Sequence, residues 1–320
     1  MNIKKRSYAG IDISKDTFNV HFKSADRKYK NNRQGWQKLL KDFPPGVIYA
    51  MEATGNYHYK LAAYLHSKGC SVLVFNPYRV RLWVWSFKGR KDKTDKIDAS
   101  DIANYANRKE INHHEWQPMS PKHARARVIV SILNGLSRLE KSAGNINHAA
   151  SLVTGKSDSL LNAMSDVSNV CGDYQKSLEK ELSKLTSEIF PDKFRLLKTI
   201  PGIGEKIASV MLVCAKGLEF ETQRNLSSFV GLAPMIYESG TSVKGKGRIG
   251  KTGNPYLRSL LYMGSMSAIK YCKPCTELYD RLLSKGKPKK LAQIAVMHRL
   301  AKIAFGVVRS GEPYRGNNPV

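Results

Sequence analysis

Ser7-Tyr-Ala-Gly-Ile-Asp-Ile13, the polar link Ser14-Lys15-Asp16 and Thr17-Phe-Asn-Val-His-Phe-Lys23 decide how the first third of this chain folds. Both longer runs mix apolar and polar residues with a period near two, so they read as paired strands joined by a tight turn. A third short strand is expected near Lys28 to Lys30, then a helix from Gln34 to Lys41 that stops before Pro44-Pro45-Gly46. Val47-Ile-Tyr-Ala-Met51 reads as a buried strand with Glu52 at its end. A helix over Tyr57 to Lys68, a strand from Ser71 to Phe75 and a helix opened by Asn76-Pro77 follow. Strands first in a meander, then alternating with helices, give a mixed α/β sheet.

Asp12 stands between Ile11 and Ile13, and a carboxylate on an otherwise apolar strand is costly unless paired or metal-bound. Further along, the basic stretch from Lys88 to Asp101 carries Asp95 and Asp98. A helix capped by Thr94 puts both on one face. Alone, Asp-x-x-Asp among lysines is ordinarily a solvated helix face. Asp12 and Glu52 change that reading, because four carboxylates above one sheet offer hard oxygen ligands to divalent cations ~4 Å apart, as phosphoryl transfer on nucleic acid requires. Asp16 and Asp101 are the alternates, whereas His21, His58 and His113-His114 read as ordinary polar residues.

The whole chain supports a polyanionic partner. Its 320 residues hold 53 Lys and Arg against 26 Asp and Glu, a formal charge of +27, while 42% apolar content argues for a folded core. Five scattered cysteines read as reduced thiols, and the single Cys272-Lys-Pro-Cys275 lacks a second pair or histidines for zinc. No signal-like segment opens the chain, no apolar run is judged to reach the ~18 residues of a membrane span, and a cytoplasmic protein is expected.

From Lys122 to about Ile189 the chain is poor in proline, with Val128, Ile132, Leu136 and Leu139, then Leu178, Leu182, Leu185 and Ile189, at helical spacing. These stripes predict an antiparallel helical hairpin or coiled-coil arm suited to self-association. Leu197-Lys-Thr-Ile-Pro-Gly-Ile-Gly-Glu-Lys-Ile-Ala208 has the pattern of a helix-hairpin-helix. Gly202, Gly204 and Lys206 would hold a phosphate at a helix N-terminus without reading bases. A glycine-rich loop with Ser239 and Ser242 is followed by Lys244, Lys246, Arg248, Lys251 and Arg258, cations able to meet phosphates. By itself such a loop is ordinarily a phosphate-contacting turn. The expected divisions are 1–115, 116–190 and 191–320.

Gly10-Ile-Asp-Ile-Ser-Lys15, Met51-Glu-Ala-Thr-Gly55, Asn76-Pro77 and Lys93-Thr-Asp-Lys-Ile-Asp-Ala99 resemble the N-terminal motifs of DEDD transposases of the IS-one-ten group of bacterial insertion sequences. Gly231-Leu-Ala-Pro234, Ser239-Gly-Thr-Ser242, Lys251-x-Gly-Asn254 and Leu257-Arg258 resemble their C-terminal domain. The resemblance implies a RuvC-like domain of RNase H fold, a helical coiled-coil middle and a mostly α C-terminal domain. It implies Asp12, Glu52, Asp95 and Asp98 as the Mg²⁺-binding catalytic quartet, and Ser239 as a second catalytic residue with Ser242 the alternative. Where this chain has Gly250-Lys251 the family more often has Ser-Lys. A tetramer, donor and target DNA, and a bridge RNA encoded by the element are the implied partners. The rival readings are a junction-resolving nuclease that uses the carboxylates alone, and a non-enzymatic basic scaffold.

Overall fold

The computed structural model describes residues 7–53, 55–88, 95–108, 114–154, 159–235, 238–239, 243–244, 248–250 and 252–316. Contacts divide the chain into two compact units, Met1–Met119 and Ser120–Val320.

The first unit runs β1 (Ser7–Ile13), β2 (Thr17–Phe22), β3 (Ala25–Lys30), α1 (Arg33–Asp42), β4 (Val47–Glu52), α2 (Tyr57–Ser67), β5 (Val72–Phe75), α3 (Pro77–Lys88) and α4 (Asp95–Ala106). Its five strands form one sheet in the order β3-β2-β1-β4-β5. The hairpin strands pair antiparallel, and β1-β4 and β4-β5 pair parallel. Period two gives the sheet two apolar faces. Ala9, Ile11 and Ile13 join Phe18, Val20, Tyr49 and Met51 in a core with Leu39 of α1 and Leu61 and Leu65 of α2. Ala50 and Leu73 join Val80 of α3 and Ile102 and Ala106 of α4 on the other side, with Tyr8 and Phe75 packed against them. Slipping β1 by one residue would expel Ile11 and Ile13, now 0% and 4% exposed, at about 1.5–3 kcal/mol each.

The second unit contains α5 (Pro121–Thr154), α6 (Leu160–Ile189), α7 (Pro191–Lys198), α8 (Glu205–Cys214), α9 (Gln223–Val230), the two-residue strands β6 (Pro234–Met235), β7 (Glu238–Ser239), β8 (Val243–Lys244) and β9 (Arg248–Ile249), then α10 (Pro255–Tyr271), α11 (Lys273–Ser284) and α12 (Lys289–Ser310). Contacts of Lys122 with Glu188, Arg125 with Glu181, Glu140 with Gln175 and Asn147 with Ser165 show that α5 and α6 run antiparallel. The base of this hairpin, at Leu133 and Leu182, shares one core with α8, α10 and α12.

Of the two expected stripes, Leu178, Leu182, Leu185 and Ile189 pack on that core, but Val128, Ile132 and Leu139 lie outward. Ala126, Ile129, Val130 and Leu133 turn inward in their place. A second correction concerns α12, which is long and apolar enough to cross a membrane by length and composition. In this fold it is a core helix, with Val296, Leu300, Ala301 and Ala304 fully buried.

Candidate active site and nucleic-acid interface

Asp12 and Glu52 are brought together by strand register. The last pair between β1 and β4 is Ile11 with Met51, so each acid is the next residue on its own strand, at the same level of two adjacent parallel strands. Ile11 and Met51 point into the core shared with α1 and α2, which turns both acids to the opposite face. That face carries α4.

The seat of α4 is set by Gly10. A Cβ there would lie 2.9 Å from the Ala103 Cβ and closer still to the Ala99 carbonyl and Ala103 amide, so only glycine lets the helix backbone approach β1 here. Helicity begins at Asp95 and continues through Asp98, so the expected i and i+3 spacing falls within the first turn of α4. Asp98 is half-buried and immediately precedes Ala99. The Asp95 side chain and Thr94, the expected cap, lie outside the described residues. Asp101, one turn beyond Asp98, is 4% exposed and is the most enclosed of the candidate acids described. Asp16 is exposed in the hairpin link, and His21 pairs with Asp26 at 2.6 Å.

In the second unit Ser239 ends β7, which pairs with β8 in the register Ser239 to Val243. Its side chain, those of Lys244 and Arg248, and residues Ser242, Lys246 and Lys251 lie outside the described residues. Arg258 has a defined intramolecular role. Its Nη1 donates to the Val230 carbonyl at 2.9 Å, closing the end of α9 where Gly231 adopts φ +78°. Asn254 begins α10 as an N-cap, its Oδ1 accepting from the Leu257 amide at 3.0 Å.

The expected phosphate grip also has internal partners. Residues 199–204 join α7 to α8, and at Gly202, φ +96°, a Cβ would lie 2.5 Å from the Gly264 carbonyl of α10. Close helix packing therefore accounts for this glycine. Gly204 is exposed at the start of α8, but Glu205 follows it and accepts from Lys198 and Ser183. These contacts hold the Glu205 carboxyl below its ordinary range, and they put a negative charge at the helix's positive end. Lys206 pairs with Glu179.

Cys272 and Cys275 stand at the start of α11, both fully buried, with the Tyr314 hydroxyl 3.2 Å from the Cys272 sulfur. Hydrogen bonding from Cys275, followed by that from Tyr314, draws the Cys272 thiol down to about 6 against the opposing effect of burial. Its hydrogen bond to Cys272 and its own burial push Cys275 up. All five cysteines are free.

A DEDD transposase model of IS110 elements, described as "Transposase", matches residues 9–131, and a second, "Transposase IS116/IS110/IS902 family", matches residues 194–280. A pilin gene-inverting protein of Moraxella bovis is 31% identical across 97% of this chain and 98% of its own length. The chain belongs to the IS110 family of transposases. A probable family 20 transposase of Pseudomonas aeruginosa is 27% identical over 97% of the chain and 98% of the relative. The transposase of insertion element IS1111A from Coxiella burnetii is 22% identical over 98% and 93%. This IS110-family chain is a DNA transposase, and its mixed five-stranded sheet is compatible with the RNase H-like domain of DEDD enzymes.

DEDD transposases typically use a divalent metal. Among the described residues no three His, Cys, Asp or Glu side chains gather closely enough to hold one. The donor chemistry nevertheless fits a hard cation. Asp12 and Glu52 share a level and a face, and Mg²⁺ keeps several waters while binding one or two carboxylates.

Proposed function

We propose that this transposase cuts and rejoins DNA at Asp12, Glu52, Asp95 and Asp98, with Ser239 as nucleophile. One observation carries the reading: two carboxylates stand side by side on adjacent parallel strands, on the face that seats the helix bearing the other two. Mg²⁺ bound there would neutralise phosphate charge and polarise the scissile bond. Asp12 and Glu52 would hold the cation from the sheet, and Asp95 and Asp98 would do so from the start of α4. The Ser239 oxygen bonds to phosphorus, the bond from phosphorus to one deoxyribose oxygen breaks, and that oxygen leaves as a hydroxyl. One DNA strand is then linked to the protein until a hydroxyl from the partner strand reverses the step.

The formal charge of +27 supports simultaneous engagement of DNA and a guide RNA transcribed from the element. The outward apolar stripe at Val128, Ile132 and Leu139 supports assembly through α5, up to a tetramer. The pilin gene-inverting relative supports inversion of a DNA segment as one outcome of the same strand exchange.

The test mixes protein, the non-coding RNA flanking its gene, supercoiled donor and target DNA, and Mg²⁺, and scores recombinant joints. Joints should require the RNA, vanish in Asp12→Asn, and pass through a DNA–serine adduct absent from Ser239→Ala. An adduct that persists in Ser239→Ala and vanishes in Ser242→Ala moves the nucleophile to Ser242. Cleavage without any adduct favours a nuclease that uses the carboxylates alone.

A further inference from the structure

α3 seats Val80, Trp83 and Val84 on the sheet, with Val80 only 2% exposed. Contacts at i, i+3 and i+4 leave the side of residues 78, 81, 82 and 85 to solvent, where a surface helix ordinarily carries polar groups. Here that side presents Tyr78, Leu82 and Trp85, which are 59%, 40% and 52% exposed. Arg79 and Arg81 are exposed beside them. Phe87 lies outward near the helix end, and the Arg108 guanidinium sits 4.1 Å from its ring centre. Among the described residues, Tyr78, Leu82, Trp85 and Phe87 join none of the core clusters.

The chemistry selects the occupant. No acidic residue occurs between Glu52 and Asp92, so the helix brings apolar side chains and cations to its partner and no anion of its own. Two such faces would repel each other, whereas a polyanion is attracted. Flat rings interleaved with arginines suit single strands, whose bases offer free faces for stacking while their phosphates meet the cations. A duplex hides those faces. Position selects the strand, because α3 begins two residues after Phe75, the β5 residue paired with Glu52.

We propose that the outer face of α3, built from Tyr78, Leu82 and Trp85 with Arg79 and Arg81, is a stacking surface for unpaired DNA bases beside the phosphate presented to Asp12 and Glu52. Only the choice of DNA rests on the cutting role proposed for those acids. The surface holds the strand open next to the scissile bond, so the reacting phosphate is approached without a paired complement.

The full-length chain is tested without divalent metal. A single-stranded oligonucleotide of about a dozen nucleotides carrying 5-iododeoxyuridine is photocrosslinked and the attached peptide mapped, and affinities are measured for this strand, its duplex and its RNA counterpart. Crosslinks at Tyr78 or Trp85 are expected. The Tyr78→Ala/Trp85→Ala double variant should weaken single-stranded DNA at least about tenfold and duplex less than about twofold, with Trp85→Phe retaining most of the binding. Equal losses for both DNA forms, or no loss, overturn the proposal. So does tighter binding of the RNA through the same residues, or a change in the mass of the free protein in the double variant, which would mark a contact between copies. The same crosslink in Asp12→Asn keeps the two readings apart: cleavage by that variant in the Mg²⁺-containing recombination assay would refute the carboxylate assignment and leave the crosslink standing.

Discussion

Replacing Gly10 with alanine should separate the carboxylates without touching any of them. The new methyl would sit 2.9 Å from the Ala103 Cβ and nearer to the Ala99 carbonyl and Ala103 amide. Trimming Ala103 to glycine gives little relief, because the two nearest atoms belong to the helix backbone. α4 must therefore back away from β1 by about 1 Å, an overpacking that costs about 1–3 kcal/mol. Melting of the first unit should fall by about 4–10 °C. The same retreat carries Asp95 and Asp98 away from Asp12 and Glu52, and misplacement on that scale costs about 10²-fold in rate. Thermal unfolding followed by circular dichroism gives the first quantity, and the yield of recombinant joints at a temperature where the variant is fully folded gives the second. A Gly10→Ala chain that melts and recombines like the parent would refute the seating of α4 on β1 and the convergence that depends on it.

Other residues test the second unit. Leu182 is fully buried where α6 joins the core, so Leu182→Ala should cost about 2–5 kcal/mol in denaturant unfolding, and a loss below 1 kcal/mol would contradict that junction. Gly135 lies inside α5 with nothing within 4 Å of an added Cβ, and Gly135→Ala should stabilise by about 0.5–1 kcal/mol. Destabilisation, or a change in oligomeric mass, would mean that a neighbour occupies that space. The Cys272 thiol, lowered to about 6 from 9.0, contributes stability that is fully present above 9.0, declines as pH falls, and is gone once pH passes below about 6. Thiolate absorbance near 240 nm should fade over the lower end of that window in the parent and be absent from Cys272→Ser; an unchanged signal in the variant would assign it elsewhere.

Much of the first unit was legible because its strands alternate cleanly. Ile11 and Ile13 face one core, which leaves Asp12 on the other side, and the same parity carries Glu52 there. The helices were harder. α5 carries two overlapping apolar stripes, and spacing alone does not say that the one through Ile129 and Leu133 packs while Val128, Ile132 and Leu139 stay outside. α10 starts at Pro255, because Asn254-Pro255 caps a helix inside what reads as a glycine-rich basic loop. Gly202 reads as a phosphate-gripping turn, and its close approach to Gly264 depends on a helix sixty residues later. In α3 the sequence cannot separate Trp83, half-buried against the sheet, from Trp85, exposed, without the packing that makes one face inner.

The most direct measurement is anomalous diffraction at the manganese edge from crystals of the protein bound to DNA and soaked in Mn²⁺. The account predicts a peak bridged by carboxylate oxygens of Asp12 and Glu52 and of Asp95 or Asp98. An ordered site with those side chains turned apart, and manganese held only elsewhere, would contradict it.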